Sequence, residues 1–446
     1  MESMKQSGIQ WIGEIPSGWK TKRIKYVIEQ SDDGIRVGPF GSSLKDCVVD
    51  SDNGTYKIYG QANLIRHDFE FGDNYVNDKD YSRLINYVVL PGDILLSMMG
   101  TIGKCSVVPD DIQEGIMDSH LIKIRLSNLF EGRYFEYVYE HSGLVYEQLL
   151  LSSQGSIMNG LNSSIVKDVF IPVPSYEEQK IIADYLDTHC AELDGIIANL
   201  EKQIETLKAY KKSLISETVT KGLDKFVPMK DSGVDWIGVI PKHWDTKRVK
   251  YLLTGIKDGT HGTFDRVEDG FLLLSAKNVF CDGLHINDNE SLISEKDYKS
   301  IVANGYPRKG DVLLSCVGTI GRTCIYPFDN PIAFQRSTIF MRPKQGVDAR
   351  FLCYAFQSNG TEIQENLLVN KTAQDGLYMG AVQEIIIPIS QDFKEQQDIA
   401  NFLDKKCAEI ESSIQDKERQ LFLIQKFRTS MIFEYVTGKK RIKEVL

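Results

Sequence analysis

Between positions 183 and 214 the apolar residues fall into a strict heptad. Leu186, Leu193, Leu200, Leu207 and Leu214 recur every seven residues, and Ala183, Cys190, Ile197, Ile204 and Lys211 precede each by three. This is the a/d seam of a coiled-coil helix, and it predicts one continuous helix over Tyr176–Lys221. A second seam occupies Phe393–Thr437, through Leu403, Cys407, Ile410, Ile414, Lys417, Leu421, Ile424, Arg428 and Met431, with Lys417 standing where the first has Leu200. About 42 helical residues span roughly 60 Å, so each helix is a ruler. Two seams of equal length pair most simply with each other, and the short 222–231 linker favours an antiparallel sense that brings Leu186 near Ile424 rather than Leu403. Ahead of each helix the pattern shortens to apolar runs of strand length. Examples are the run after Pro91-Gly92 and its counterpart from Gly310, together with 121–126, 169–173, 337–341 and 384–389. Helices are predicted at 132–150 and 348–368.

The chain is written twice. Ser7–Ile28 matches Ser232–Leu253 at 13 of 22 positions, Pro91–Pro109 matches Lys309–Pro327 at 10 of 19, and Glu177–Leu193 matches Lys394–Ile410 at 9 of 17. Offsets of 225, 218 and 217 residues mark one duplication with small length changes. The predicted architecture is α+β: two tandem β-rich mixed domains (1–174 and 232–391), a first helix (175–221), a linker (222–231), and a second helix with a basic tail (392–446). Between the matched blocks, residues 31–90 and 254–308 look little alike. A shared scaffold with two different variable surfaces favours recognition over catalysis.

Composition narrows the picture further. The 446 residues are 42% hydrophobic and 26% charged, with a net charge of −10, which argues against a generally basic nucleic-acid coat but leaves room for local basic clefts. The amino terminus has no signal layout and no apolar run reaches the roughly 18 residues of a membrane span, so a cytoplasmic location is expected. Eight scattered cysteines without a CxxC pair suggest reduced thiols rather than a zinc site or disulfides. No phosphate loop, GxGxxG after a strand, HExxH, GxSxG or Asn/Asp-Pro-Pro-aromatic motif is present, and no partner is evident for His261 as a catalytic base. No catalytic, cofactor or metal residues are assigned.

The doubled SGxxWIGxIPxxWxxKxKY element, the GDxLLSxxGTIG block and the EQxxIAxxLD helix start resemble the specificity subunits of type I restriction-modification enzymes, in order and over essentially the whole chain. Gly38–Lys45 (GPFGSSLK) and Asp258–His261 (DGTH) are similar to openings of that family's target-recognition domains. The resemblance implies a non-catalytic, DNA-binding subunit in which each target-recognition domain binds one half of a split site on double-stranded DNA and the helices form an antiparallel coiled coil. It also implies two methyltransferase subunits and restriction-translocase subunits as partners, with S-adenosylmethionine, ATP and magnesium on them and none on this chain. A coiled-coil adaptor with two protein-binding heads is the competing expectation.

Base readout needs forked or amide side chains, while cations and backbone amides hold phosphate. In the first domain Gly38–Ser43 offers close backbone approach beside Lys45, and Gln61, Asn63 and Arg66 have reader chemistry. Gly100–Lys104, with Thr101 and Lys104, reads either as a second approach loop or as a tight turn shaping the fold. The second-domain candidates are His261, Thr263, Lys277, Asn278, Thr319, Arg322, Gln335 and Arg336. The charges at Lys211 and Arg428 suggest a loosening of the coil or a partner contact, and Lys439–Lys443 suggests a solvated helix end.

Overall fold

The computed structural model describes residues 3–152, 161–303, 305, 307–369 and 376–442. Two compact units account for the chain, one of residues 1–200 with 420–446 and one of residues 201–419. Each long helix therefore contributes to both. The helices run Tyr176–Lys221 and Phe393–Val436, within a residue of the heptad reading.

In the first unit an antiparallel sheet has the order Ile35–Val37, Leu121–Ile124, Ile94–Ser97, Cys105–Val107, with Leu121 opposite Ser97. A second sheet has the order Tyr75–Val76, Tyr56–Tyr59, Gly115–Met117, Val88–Val89, and its central pair, Tyr56–Tyr59 with Gly115–Met117, is parallel. The residues before and after the Pro91-Gly92 turn thus enter different sheets. The second unit repeats the plan. Leu253–Asp258, Thr338–Pro343, Val312–Ser315 and Thr323–Ile325 form the antiparallel sheet, with Thr338 opposite Ser315, and Phe271–Leu274 pairs in parallel with Ala333–Phe334. Residues 31–90 and 254–308, divergent in sequence, share the first strand of each sheet, but the second unit's smaller sheet has three strands where the first has four, and Val279–Phe280 pairs with Gly283–Leu284 as a separate hairpin.

The repeated motifs are joints of this scaffold. The strand Lys20–Arg23 pairs with Phe170–Val173, and Trp244–Arg248 pairs with Ile386–Ser390, so the first motif closes against the strand leading into each long helix. Trp19 Nε1 donates to Glu178 Oε2 at 2.9 Å, and Trp244 Nε1 to Glu395 Oε2 at 3.0 Å, both carboxylates lying in a helix's first turn. The neighbouring Gln179 and Gln396 are buried, and their carbonyls accept from the Glu131 and Asp348 amides. The aspartate of the GD motif is likewise a buried clasp. Asp93 takes a two-pronged bond from Arg125, and Asp311 takes one from Arg342.

In both units the helices meet antiparallel. In the first, the Tyr185 and Tyr435 rings lie 4.5 Å apart and Arg428 pairs with Asp194 at 2.8 Å. In the second, Lys211 pairs with Glu411 at 2.8 Å. The expected sense holds, but the expected register does not. Leu186 lies beside the Tyr435 level, about three turns beyond Ile424, because a heptad fixes which face is buried and leaves the axial match to other contacts. Leu186, Leu200, Ile204, Leu403, Ile410, Ile414 and Met431 are buried, whereas Leu193, Ile197, Leu207, Leu214, Leu421 and Ile424 are half-buried. Toward the end of the first helix burial moves to Ile215 and Val219, where the helix leaves a two-stranded seam for the core of the second unit. Lys211 and Arg428 mark matching ion pairs.

Other expectations are adjusted. Residues 348–368 form two helices, Ala349–Phe356 and Asn359–Leu368, broken where Ser358 caps the second. Part of the expected linker is strand, since Met229–Asp231 pairs with Val239–Pro241. All eight cysteines are free thiols. In the basic tail Arg441 pairs with Glu178 at 2.6 Å and Lys439 lies over Phe433; Lys443 is outside the described residues. Among the described residues no helix is long and apolar enough to cross a membrane.

Candidate nucleic-acid interface

In each unit four loops lie against one another. In the first unit the Gly38 amide donates to Leu121 O at 2.8 Å, which lays the Gly38–Ser43 loop against the turn Asp118–His120. In the second the Gly259 amide donates to Thr338 O at 3.0 Å, bringing Gly259–Thr263 against Gln335–Ser337. A Cβ on Gly38 would stand 1.9 Å from Asp118 O, and one on Gly259 would stand 2.3 Å from Gln335 O. Both positions require glycine for this approach.

The next loop is also shared. Asn63 Oδ1 accepts from the Gly60 amide while its Nδ2 donates to Asp68 O and Phe71 O. Asn278 Oδ1 accepts from the Ser275 amide while its Nδ2 donates to His285 O and Glu290 Oε1. Exposures of 3% and 1% complete the match. This corrects the expectation for both residues. Their amides are committed internally, so they tie loops together instead of facing a ligand. Asn63→Ala is expected to cost about 2 kcal/mol by removing the donor to the Asp68 and Phe71 carbonyls and the acceptor of the Gly60 amide. Urea unfolding and faster amide exchange over residues 60–71 measure it; unchanged stability would return the residue to the surface-reader class.

The GTIG segments form tight turns. Ser97 Oγ bonds the Thr101 carbonyl and hydroxyl, each at 2.9 Å, and Ser315 Oγ donates to Thr319 O. Gly100, Gly103, Gly318 and Gly321 all take positive φ. The hydroxyl-bearing residues Thr101 and Thr319 remain exposed at the tips.

The remaining candidates fall into two groups. Several are held by neighbours. Gln61 Nε2 donates to Met99 O and His120 O, Arg66 lies 4.0 Å over Phe71, and Lys104 pairs with Glu140 at 2.6 Å. His261 Nε2 meets Asp258 Oδ2 at 2.6 Å, Lys277 pairs with the buried Glu290 at 2.7 Å, and Arg322 lies 4.8 Å over Phe280. Lys45, Thr263 and Arg336 are exposed, and Gln335 is half-buried.

Behind Lys104 sits a charged cluster. His67, the one described non-glycine residue at positive φ, has Nδ1 at 3.4 Å from Glu136 and Nε2 at 3.8 Å from Glu140. Burial works against the charge on Glu140, but His67, Lys104 and the Cys105 amide outweigh it and hold its pKa at about 2. Burial pushes Glu136 up to about 7 and His141 down to about 4, whereas the Glu140 contact raises His67. The cluster joins the helix carrying Gln61 and Arg66 to the GTIG turn.

Sequence reasoning passed over the first-unit turn Asp118-Ser119-His120. Its amides and carbonyls match those of Gln335-Arg336-Ser337: Asp118 N donates to Tyr59 O as Gln335 N does to Leu274 O, and Met98 N donates to His120 O as Cys316 N does to Ser337 O. The 217-residue offset of the helix motif, carried back through the domain, aligns Ser119 with Arg336. No group of three or more His, Cys, Asp or Glu fit to hold a metal occurs among the described residues.

The type I restriction modification DNA specificity domain model matches residues 16–206 and 278–418. The type I restriction enzyme MjaVIII specificity subunit of Methanocaldococcus jannaschii is 27% identical over 346 residues, covering 75% of this chain and 76% of that protein. The putative MjaX specificity subunit of the same organism is 25% identical over 442 residues, covering 97% and 96%. The EcoBI specificity subunit of Escherichia coli is 22% identical, covering 79% and 74%. Among solved structures, a chain from work on complex assembly and conformational transition of the type I R-M system superposes with a TM-score of 0.70 at 15% identity, covering 96% of this chain and 99% of that one. The HsdS subunit from Thermoanaerobacter tengcongensis superposes at 0.50 and 16% identity, covering 96% and 98%. With its family model matched over most of the chain and its fold repeated in solved relatives, the protein belongs to the type I restriction-modification DNA specificity family.

Proposed function

We propose that this chain is the DNA-reading subunit of a type I restriction-modification complex, each globular domain binding one half of a bipartite site on double-stranded DNA. The observation that carries this reading is the four-loop frame, built twice on matching backbone hydrogen bonds at Gly38 and Gly259, Asp118 and Gln335, and Met98 and Cys316, with different exposed side chains. In this reading the long helices set the spacing of the half-sites and dock two methyltransferase subunits, and restriction-translocase subunits join the assembly. S-adenosylmethionine, ATP and magnesium belong to those partners, so this chain holds no cofactor, performs no chemistry alone and works in the cytoplasm. Its net charge of −10 fits a protein that relies on local contacts and on partners for affinity.

The test is binding of the chain, with and without methyltransferase subunits, to a duplex carrying the methylated motif of the source cell. Tight binding is expected only for the complex. Six phosphate contacts would weaken it roughly 10³-fold between 50 and 200 mM salt. Exchanging residues 31–170 for those of a relative should change one half-site and leave the other intact. A change in both half-sites, or methyl transfer by the isolated chain, would sink the proposal.

A further inference from the structure

The turn Gln335–Ser337 is held by four hydrogen bonds from three segments. Arg336 N donates to Thr260 O at 2.9 Å, Gln335 N to Leu274 O at 2.8 Å, Cys316 N to Ser337 O at 2.9 Å, and Ala276 N to Ser337 Oγ at 3.1 Å. Loop, strand and turn thus fix its backbone from every neighbouring segment. Three nearby second-domain candidates are engaged: His261 by Asp258, Lys277 by Glu290 and Arg322 by the Phe280 ring. Arg336 is exposed, and no ion pair or ring contact engages its guanidinium among the described residues.

A fixed backbone adds no ordering cost of its own on binding, and an unengaged guanidinium keeps its planar fork for a planar, two-acceptor partner. Guanine presents such a partner through O6 and N7 in the major groove. The equivalent turn of the first unit, which shares the Asp118 N to Tyr59 O and Met98 N to His120 O bonds, carries Ser119 at this position, followed by the exposed His120. Serine lacks the fork.

We infer that Arg336 is a specificity-determining residue, reading one guanine in the half-site bound by the second domain, and that the matching turn of the first domain, bearing Ser119, reads its half-site differently. This rests on the DNA-reading function proposed above and assigns one position within it.

The experiment uses the full chain assembled with its methyltransferase subunits, the motif taken from methylome sequencing, and competition with duplexes bearing every single-base change in that motif. In wild type, replacing one G·C pair in one half-site is expected to weaken binding about tenfold to a hundredfold. Arg336→Ala should bring discrimination at that pair close to unity, leave every other position unchanged, and leave binding to unrelated duplex within about twofold. Arg336→Lys, which keeps the charge and loses the fork, should do the same. An equal loss on all duplexes would make Arg336 a phosphate contact and overturn the assignment, as would discrimination unchanged in both variants. A wild-type complex that methylates no bipartite motif would instead overturn the parent proposal, so the two failures are distinct.

Discussion

Glu365→Leu is expected to stabilise the protein at neutral pH, and the gain should vanish in acid. Glu365 is 5% exposed, and its Oε1 has no hydrogen-bond partner among the described residues. Its carboxyl lies beneath the second GTIG turn, where a Cβ on Gly321 would stand 2.5 Å from Oε2. Burial, reinforced by the charge of Glu362, pushes its pKa from the ordinary 4.5 up to about 8. The sign follows from linkage. Below about pH 4 both folded and unfolded chains hold the proton and no difference arises. Between the two pKa values only the unfolded chain releases it, so the wild type loses stability as pH rises and levels off above pH 8. On the order of 5 kcal/mol is at stake at the top of that range. The first unit supplies the remedy. Gln148 and Gln364 make the same paired bonds, to Phe170 and Ile386 respectively, and the residue after each is Leu149 in one unit and Glu365 in the other. Urea unfolding at pH 4.5 and pH 8 decides it. Glu365→Gln should recover part of the gain. A variant no more stable at pH 8 than at pH 4.5, relative to wild type, would show that the carboxyl is ionised in the fold.

The long helices were legible because a period of seven is written in residues whose burial needs no tertiary knowledge, as at Leu186, Leu200 and Leu403. Their register was not, because Tyr185, Asp194, Arg428 and Tyr435 set it through pairwise contacts that periodicity does not encode. The duplication was legible where side chains are joints, as in Trp19 with Glu178 and Asp93 with Arg125. It was invisible where backbone hydrogen bonds alone hold the frame, since Gly60-Gln-Ala-Asn63 and Ser275-Ala-Lys-Asn278 share only the asparagine that bonds inward. The same blindness put Asn63 and Asn278 among the readers. Polarity in a variable stretch suggests exposure, whereas a buried amide satisfying three backbone or carboxylate groups looks identical in sequence.

Trp244→Ala should cost about 3–5 kcal/mol of unfolding free energy, the range for removing a large aromatic side chain from a packed core. Trp244 is fully buried and meets Phe351 edge-on at 6.2 Å, and its indole NH donates to Glu395. Glu395 also accepts from Ser390 Oγ and contacts His243 at 3.1 Å, so one carboxylate ties the repeated motif, the last strand and the start of the long helix. Its negative charge in the helix's first turn adds a favourable interaction with the helix dipole. Trp244→Phe keeps much of the apolar contact and removes the indole bond, so a loss of about 1–2 kcal/mol is expected, mostly from that charge-assisted bond. Trp19→Ala should weaken the first unit by the same route, because Trp19 is 2% exposed and bonded to Glu178. Circular dichroism against urea gives the energies without relying on the deleted fluorophore. The same variants, assembled with partners below their midpoints, should keep the wild-type order of preference among single-base site changes. A motif shared by both domains cannot by itself distinguish two half-sites. A Trp244→Ala protein of near wild-type stability that had lost half-site preference would show that this tryptophan, and the motif around it, belongs to the reading surface instead of the scaffold.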